Sequence, residues 1–96
     1  MKVIFHHRCK KFLKRLRDRT VMDLSKEHID EIISDSLKGQ ILEHPFRKYE
    51  VRKKSFDNKG NSYRIAYTVN KEKKKIVFLV IDSRENFYEK FKKAMK

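Results

Sequence analysis

Six consecutive apolar residues, "IVFLVI" at positions 76–81, stand in a chain of which 41% of residues are charged. A run of this length, rich in β-branched residues and bounded by lysines and an aspartate, reads as a strand. A strand apolar on both of its faces is stable only where both faces are covered, so the rest of the chain must supply that cover. With 96 residues there is room for one domain and none for a second. The hydrophobic content of 39% is low, but it arrives in blocks rather than evenly, which separates this chain from a disordered one.

The other blocks fall into an order. "KVIF" (2–5) reads as a short first strand. From Arg8 the apolar positions Cys9, Phe12, Leu13 and Leu16 follow helical spacing, and Lys10, Lys11, Lys14, Arg15 and Arg17 form the other face of a basic helix ending near Arg19. "TVMD" (20–23) carries a helix-start signature, with Thr20 as cap and Asp23 in the first turn. Ile29, Ile32, Ile33 and Leu37 continue the apolar stripe, and Lys38-Gly39 is the expected stop, with glycine free to take a positive φ. After "HPF" (44–46) the period becomes two: Tyr49 and Val51 alternate with Glu50 and Arg52, "DNKGNS" (57–62) turns the chain, and Tyr63, Ile65, Tyr67 and Val69 line one face of a further strand. Phe87, Tyr88, Phe91 and Met95 close the chain at helical spacing, with Asp82 or Ser83 as cap. The expected fold is α+β, a single domain over 1–96 in the order β-α-α-β-β-β-α. A helix hairpin packs on a mostly antiparallel sheet whose last three strands form a meander, and a short helix ends the chain.

Charge narrows the function classes. Lys and Arg number 26 against 13 Asp and Glu, a formal net charge of +13 with a pI near 10.0, so a polyanion is the expected partner and nucleic acid precedes an anionic membrane. Five of the acids lie between Asp23 and Asp35, where Lys26 is the single base, so one acidic element sits in a basic body. No stretch is long and apolar enough for a membrane span or a signal-peptide core, so no membrane partner is expected. The single cysteine, Cys9, excludes an intramolecular disulfide and fits a reducing cytoplasm. "HHRC" (6–9) matches no zinc-ligand spacing, and there is no P-loop, dinucleotide turn or nucleophile elbow; neither metal nor other cofactor is expected.

What remains is a set of cations near one end of the sheet. Arg52 and Lys54 share a face of their strand, Arg64 interrupts the next strand, and Arg84 follows the apolar run directly. Together they make either a convergent anion site or a solvated basic face. An arginine inside a strand calls for an anion, which is either a phosphate suited to its bidentate fork or a structural partner such as Glu50 or Glu43. Phe87 and Tyr88 are either core aromatics or rings available to a splayed base or a scissile phosphate. Glu43 and His44 stand where a loop could carry acid–base groups, or where the chain merely leaves a helix.

On "SYRIAYTVN" (62–70) and "IVFLVIDSRENFY" (76–88) the chain resembles the RelE/ParE superfamily of type II toxins, over most of its length. The resemblance implies a ribosome-dependent, metal-independent mRNA endoribonuclease in which a ribose 2′-OH attacks the adjacent phosphate. It would inhibit translation and be held by an acidic, helical and extended antitoxin. By position, Arg64 matches the family's phosphate-contacting arginine and Arg84 its second arginine. Tyr88 matches the aromatic that orients substrate, and "EVRKK" (50–54) the basic strand. Glu50 and Arg52 stand where that strand's lysines would be, which leaves Lys54 or Glu50 as base, and Ser83 stands where relatives carry His or Lys. Arg52, Lys53 and Lys54, with Lys14 and Arg15 of the first helix, are the expected RNA contacts. The superfamily's ParE branch, which poisons DNA gyrase, a harmless decayed toxin and a non-catalytic basic nucleic-acid-binding module are the rival readings.

Overall fold

The apolar run is the strand around which everything else is arranged. In the computed structural model, which describes residues 2–37, 39–41 and 50–94, the elements are β1 (Lys2–Phe5), α1 (His7–Arg15), α2 (Arg19–Ser34), β2 (Gln40–Ile41), β3 (Val51–Asn58), β4 (Asn61–Asn70), β5 (Lys75–Ser83) and α3 (Arg84–Ala94). They form one five-stranded sheet in the order β1-β5-β4-β3-β2. β5 pairs parallel with β1 and antiparallel with β4. The expected α+β order holds, with the two-residue β2 added at the edge. Glu43, His44, Tyr49 and Met95 lie outside the described residues.

Both faces of β5 are covered. Ile76, Phe78 and Ile81 pack with Cys9, Val21, Ile29 and Ile32 under the α1–α2 hairpin. Leu79 and Val80 pack with Val51, Ala66, Phe87 and Phe91 under α3. Two adjacent residues facing the same way mark a β-bulge: Ala66 is opposite Val80 while Tyr67 is opposite Phe78, which leaves Leu79 without a partner in the ladder. The bulge shifts the alternation by one residue, so Asp82 falls opposite Arg64 on the α3 side rather than under the hairpin.

Helix ends differ from expectation in three places. α1 stops at Arg15, not Arg19, with the Leu16 N–H bonded to the Phe12 carbonyl. α2 is capped by Asp18, whose Oδ1 accepts the Thr20 and Val21 N–H groups at 2.9 and 3.2 Å. Both Asp and Thr suit an N-cap, and the tight exit from α1 favours the earlier one. α2 ends at Ser34, short of the expected Lys38-Gly39 stop. Of the two caps offered for α3, Asp82 turns its Oδ1 to the Ser83 N–H at 2.7 Å, and Ser83 is the residue directly before the helix.

Gly39 is not the left-handed stop the sequence suggested, since Gly60 is the positive-φ glycine among the described residues. Its small size serves a close approach. The Tyr67 hydroxyl accepts the Gly39 N–H at 3.1 Å and donates to the Ser36 carbonyl at 2.9 Å. A Cβ on Gly39 would lie 2.3 Å from that hydroxyl oxygen. Burial pushes the Tyr67 phenol above its usual range, so it remains the neutral donor this bridge needs. No helix among the described residues is long and apolar enough to cross a membrane.

Gly39→Ala is expected to cost about 1–3 kcal/mol by overpacking against Tyr67, read as a lower Tm, and to cost much less in a Tyr67→Phe background. A second stability prediction concerns the α1 cap, where His6 Nδ1 accepts the Arg8 N–H at 3.2 Å and must be unprotonated. Burial, His7 and Arg8 lower the His6 pKa from 6.5. A lowered histidine pKa stabilises the fold above the unfolded value, and that stability is lost as pH falls below 6.5. Tm measured from pH 7.5 down to pH 5, values set about the ordinary histidine pKa, should fall less in His6→Asn, which keeps a cap acceptor and does not titrate.

Candidate functional site

The β3–β4 hairpin decides which cations can meet. Its two-residue turn, Lys59-Gly60, has positive φ at both positions, 50° and 82°, the signature of a type I′ turn. Counting back from the closing pair Asn58–Asn61 puts Ser55 opposite Arg64, Lys54 opposite Ile65 and Arg52 opposite Tyr67. Ile65 and Tyr67 face the α1–α2 hairpin, so Arg52 and Lys54 face it too. Arg64 points the other way.

Arg52 and Lys54 are committed on that side. The Arg52 guanidinium donates to the Leu37 and Gly39 carbonyls at 3.0 and 2.8 Å and to Glu50 Oε1 at 3.0 Å. It thereby closes the exit from α2, and it engages the Glu50 carboxylate that the sequence offered as a base. Lys54 forms an ion pair with Glu31 on α2. His28 lies 3.8 Å from the same carboxylate and stacks on Phe56 at 4.8 Å. Burial, then Lys54, lowers the His28 pKa. The acidic helix thus has a structural use, since it neutralises part of the basic meander.

On the opposite face, Arg64 Nη1 donates to the Tyr88 hydroxyl at 2.7 Å, and its guanidinium carbon lies 5.4 Å from the centre of the Tyr88 ring. Neither Glu50 nor any other carboxylate of the described residues forms an ion pair with Arg64. Tyr88 is 45% exposed, while its neighbour Phe87 is fully buried and meets it edge-on. The core reading therefore holds for Phe87 and fails for Tyr88. Arg84 is exposed on the first turn of α3, one helical turn before Tyr88 and on the same side of the helix.

The convergence expected from the sequence divides into two. Arg64, Tyr88 and Arg84 share the α3 side of the sheet. Arg52 and Lys54 lie behind it, and Lys14 and Arg15 are exposed on α1, which also belongs to the hairpin side. The residue whose position the sequence reading passed over is Lys53. It is half-buried, opposite Ala66 on the α3 side, and a diagonal neighbour of Arg64. The signal for it was the Lys59-Gly60 turn, which sets the register. Among the described residues there is no grouping of His, Cys, Asp and Glu able to hold a metal ion. Cys9 is buried with its thiol pKa pushed up to about 12 by burial, so it is not a nucleophile.

The sequence matches the ParE-like toxin of type II bacterial toxin–antitoxin systems over residues 3–92. The chain belongs to that toxin family. No curated protein matches it in sequence. Among solved structures, it is similar to a mutant of the E. coli toxin RelE in the free state, with a TM-score of 0.72 at 20% identity over 97% of this chain and 92% of that one. It is also similar to the intact E. coli RelBE toxin–antitoxin complex, with a TM-score of 0.64 at 21% identity over 83% of this chain and 92% of that one. A third similar structure is the RelBE2 toxin–antitoxin complex of Mycobacterium tuberculosis, with a TM-score of 0.62 at 20% identity over 86% and 96%. This ParE-like toxin therefore has the RelE fold.

The two sides of the toxin's sheet should respond differently to alanine. Arg52→Ala leaves two carbonyls and Glu50 without their donor and is expected to lower stability by about 1–3 kcal/mol. Lys53→Ala is expected to leave the Tm within about a degree or two, as for a substitution that removes no structural bond. Thermal unfolding of the two variants compares them directly.

Proposed function

We propose that this toxin is a ribosome-dependent endoribonuclease that cuts mRNA at the face formed by Arg64, Arg84, Tyr88 and Lys53. The observation that carries the reading is Arg64. Its guanidinium is held over the Tyr88 ring and bonded to the phenol, with no carboxylate paired to it among the described residues. A guanidinium fixed in that way presents its remaining N–H groups to a phosphate, the ligand its planar fork fits best.

In the proposed step, a ribose 2′-oxygen forms a bond to the adjacent phosphorus and the bond from phosphorus to the 5′-oxygen breaks. The 2′-proton leaves to a base, and the 5′-oxygen takes up a proton. Arg64 and Arg84 neutralise the charge that builds on the non-bridging oxygens, and Tyr88 offers its exposed ring to a neighbouring base. The role expected of Lys54 or Glu50 passes to Lys53, because those two are engaged on the hairpin side. Arg52, Lys54, Lys14 and Arg15 lie outside the cleaving face and are left as charge for a larger RNA surface. The net charge of +13 suits association with the ribosome and mRNA, and an acidic antitoxin is the proposed partner that silences the toxin.

Induction in cells, with mRNA integrity mapped by primer extension, tests this reading. Wild-type toxin is expected to cut translated mRNA, and Arg64→Ala, Arg84→Ala and Lys53→Ala each to lose about a hundredfold to a thousandfold of cleavage, the range for removing a charge-stabilising group. The ParE-like family match favours a second reading, inhibition of DNA gyrase. Intact mRNA with collapsed DNA supercoiling would establish that reading and sink the first. Salt-sensitive RNA binding without growth arrest would leave a non-catalytic module.

A further inference from the structure

Arg64 on β4 and Asp82 on β5 are direct partners across the ladder. Side chains so placed point to the same face with Cβ atoms about 5 Å apart, close enough for an arginine and an aspartate to pair. Here each is engaged elsewhere. Arg64 donates to Tyr88 at 2.7 Å, whereas Asp82 accepts the Ser83 N–H through Oδ1 and forms an ion pair with Lys90 through Oδ2. Asp82 is only 4% exposed, and a carboxylate that far from water requires a cation. Lys90 supplies that cation, although Arg64 is the residue directly across the ladder.

We propose that Lys90 is a positioning residue: by neutralising Asp82 it keeps the Arg64 guanidinium away from that carboxylate and available to a phosphate diester. The proposal rests on the reading of Arg64 as the phosphate-binding group. Without the Lys90 ammonium, Asp82 is left nearly buried and uncompensated, and the cation directly across the ladder is Arg64. The guanidinium then leaves the Tyr88 phenol for the carboxylate, and a substrate phosphate must displace a partner already out of water. Because Arg64 replaces the lost cation, the fold survives and the site does not. Lys90 touches no substrate in this scheme, and its effect runs wholly through Asp82 and Arg64.

The experiment uses the full chain and a short single-stranded RNA oligonucleotide, with affinity read by fluorescence anisotropy and Arg64 and Tyr88 side-chain resonances read by NMR. Lys90→Met keeps the side-chain stem and removes the charge. If Asp82 captures Arg64 in about nine molecules of ten, apparent RNA affinity falls about tenfold. The Arg64 Nε–H and Tyr88 ring resonances should shift in Lys90→Met without RNA present. Adding Asp82→Asn to Lys90→Met should restore both resonances and affinity, and Lys90→Arg should behave as wild type. Unshifted resonances in Lys90→Met, or a double variant as weak as the single one, overturn the proposal. RNA affinity unchanged in Arg64→Ala overturns instead the phosphate-binding reading beneath it.

Discussion

Burial of β5 on both faces is the constraint on which the other elements depend. A strand whose residues 76–81 are all apolar needs two covers, and the three helices among the described residues supply them. The α1–α2 hairpin takes one face and α3 the other. The sheet so enclosed becomes a partition, and every cation on β3 and β4 belongs to one side of it or the other. The hairpin side commits the two β3 cations it receives to structure, Arg52 to backbone carbonyls and Lys54 to Glu31.

That division explains why one acidic helix sits in a basic protein. A sheet carrying Arg52 and Lys54 beneath a basic α1 would meet mostly like charge on the hairpin side. α2 supplies the opposite sign where the meander passes beneath it, through Glu31, while leaving the α3 side positive. Ion pairs at this level of exposure add little stability one by one. Their larger effect is local: Glu31 removes the like-charge contact that Lys54 would otherwise make beneath the hairpin.

Much of the fold was legible because its signals were local. The apolar run, the alternation in "SYRIAYTVN" and the helical spacing of Ile29 and Ile32 each indicated the element the structure has. For the candidate site, the sequence named residues but not which side of the sheet each would face. Arg64, Arg84 and Tyr88 were named from the sequence and share one side, while Lys54 was named over Lys53 because the facing of β3 relative to β4 depends on a turn. Val51 and Phe56, the buried residues of β3, face opposite sides of the sheet, so apolar pattern alone gives no facing for the four polar positions between them. The Lys59-Gly60 turn did contain that information, but only once read as a two-residue loop. The bulge at Leu79 left no mark, since a phase change inside a wholly apolar run alters no pattern.

That unpaired leucine has a consequence for how the chain can change over time. Residues added or lost in the exposed turn between β4 and β5 leave the register of both strands intact and cost little, as loop length changes generally do. Loss of Leu79 itself would cost its packing under α3 but keep the parity of the strand, because closing the bulge leaves Val80 opposite Ala66 and Asp82 opposite Arg64. Loss of one of the paired residues Val80 and Ile81 is different in kind, since it slides Asp82 by one position and turns it towards the hairpin while Arg64 stays where it is. Length variation should therefore be tolerated at residues 71–74 and purged at 80–81, with the surplus residue at 79 the one place inside a buried strand where a deletion leaves every facing unchanged.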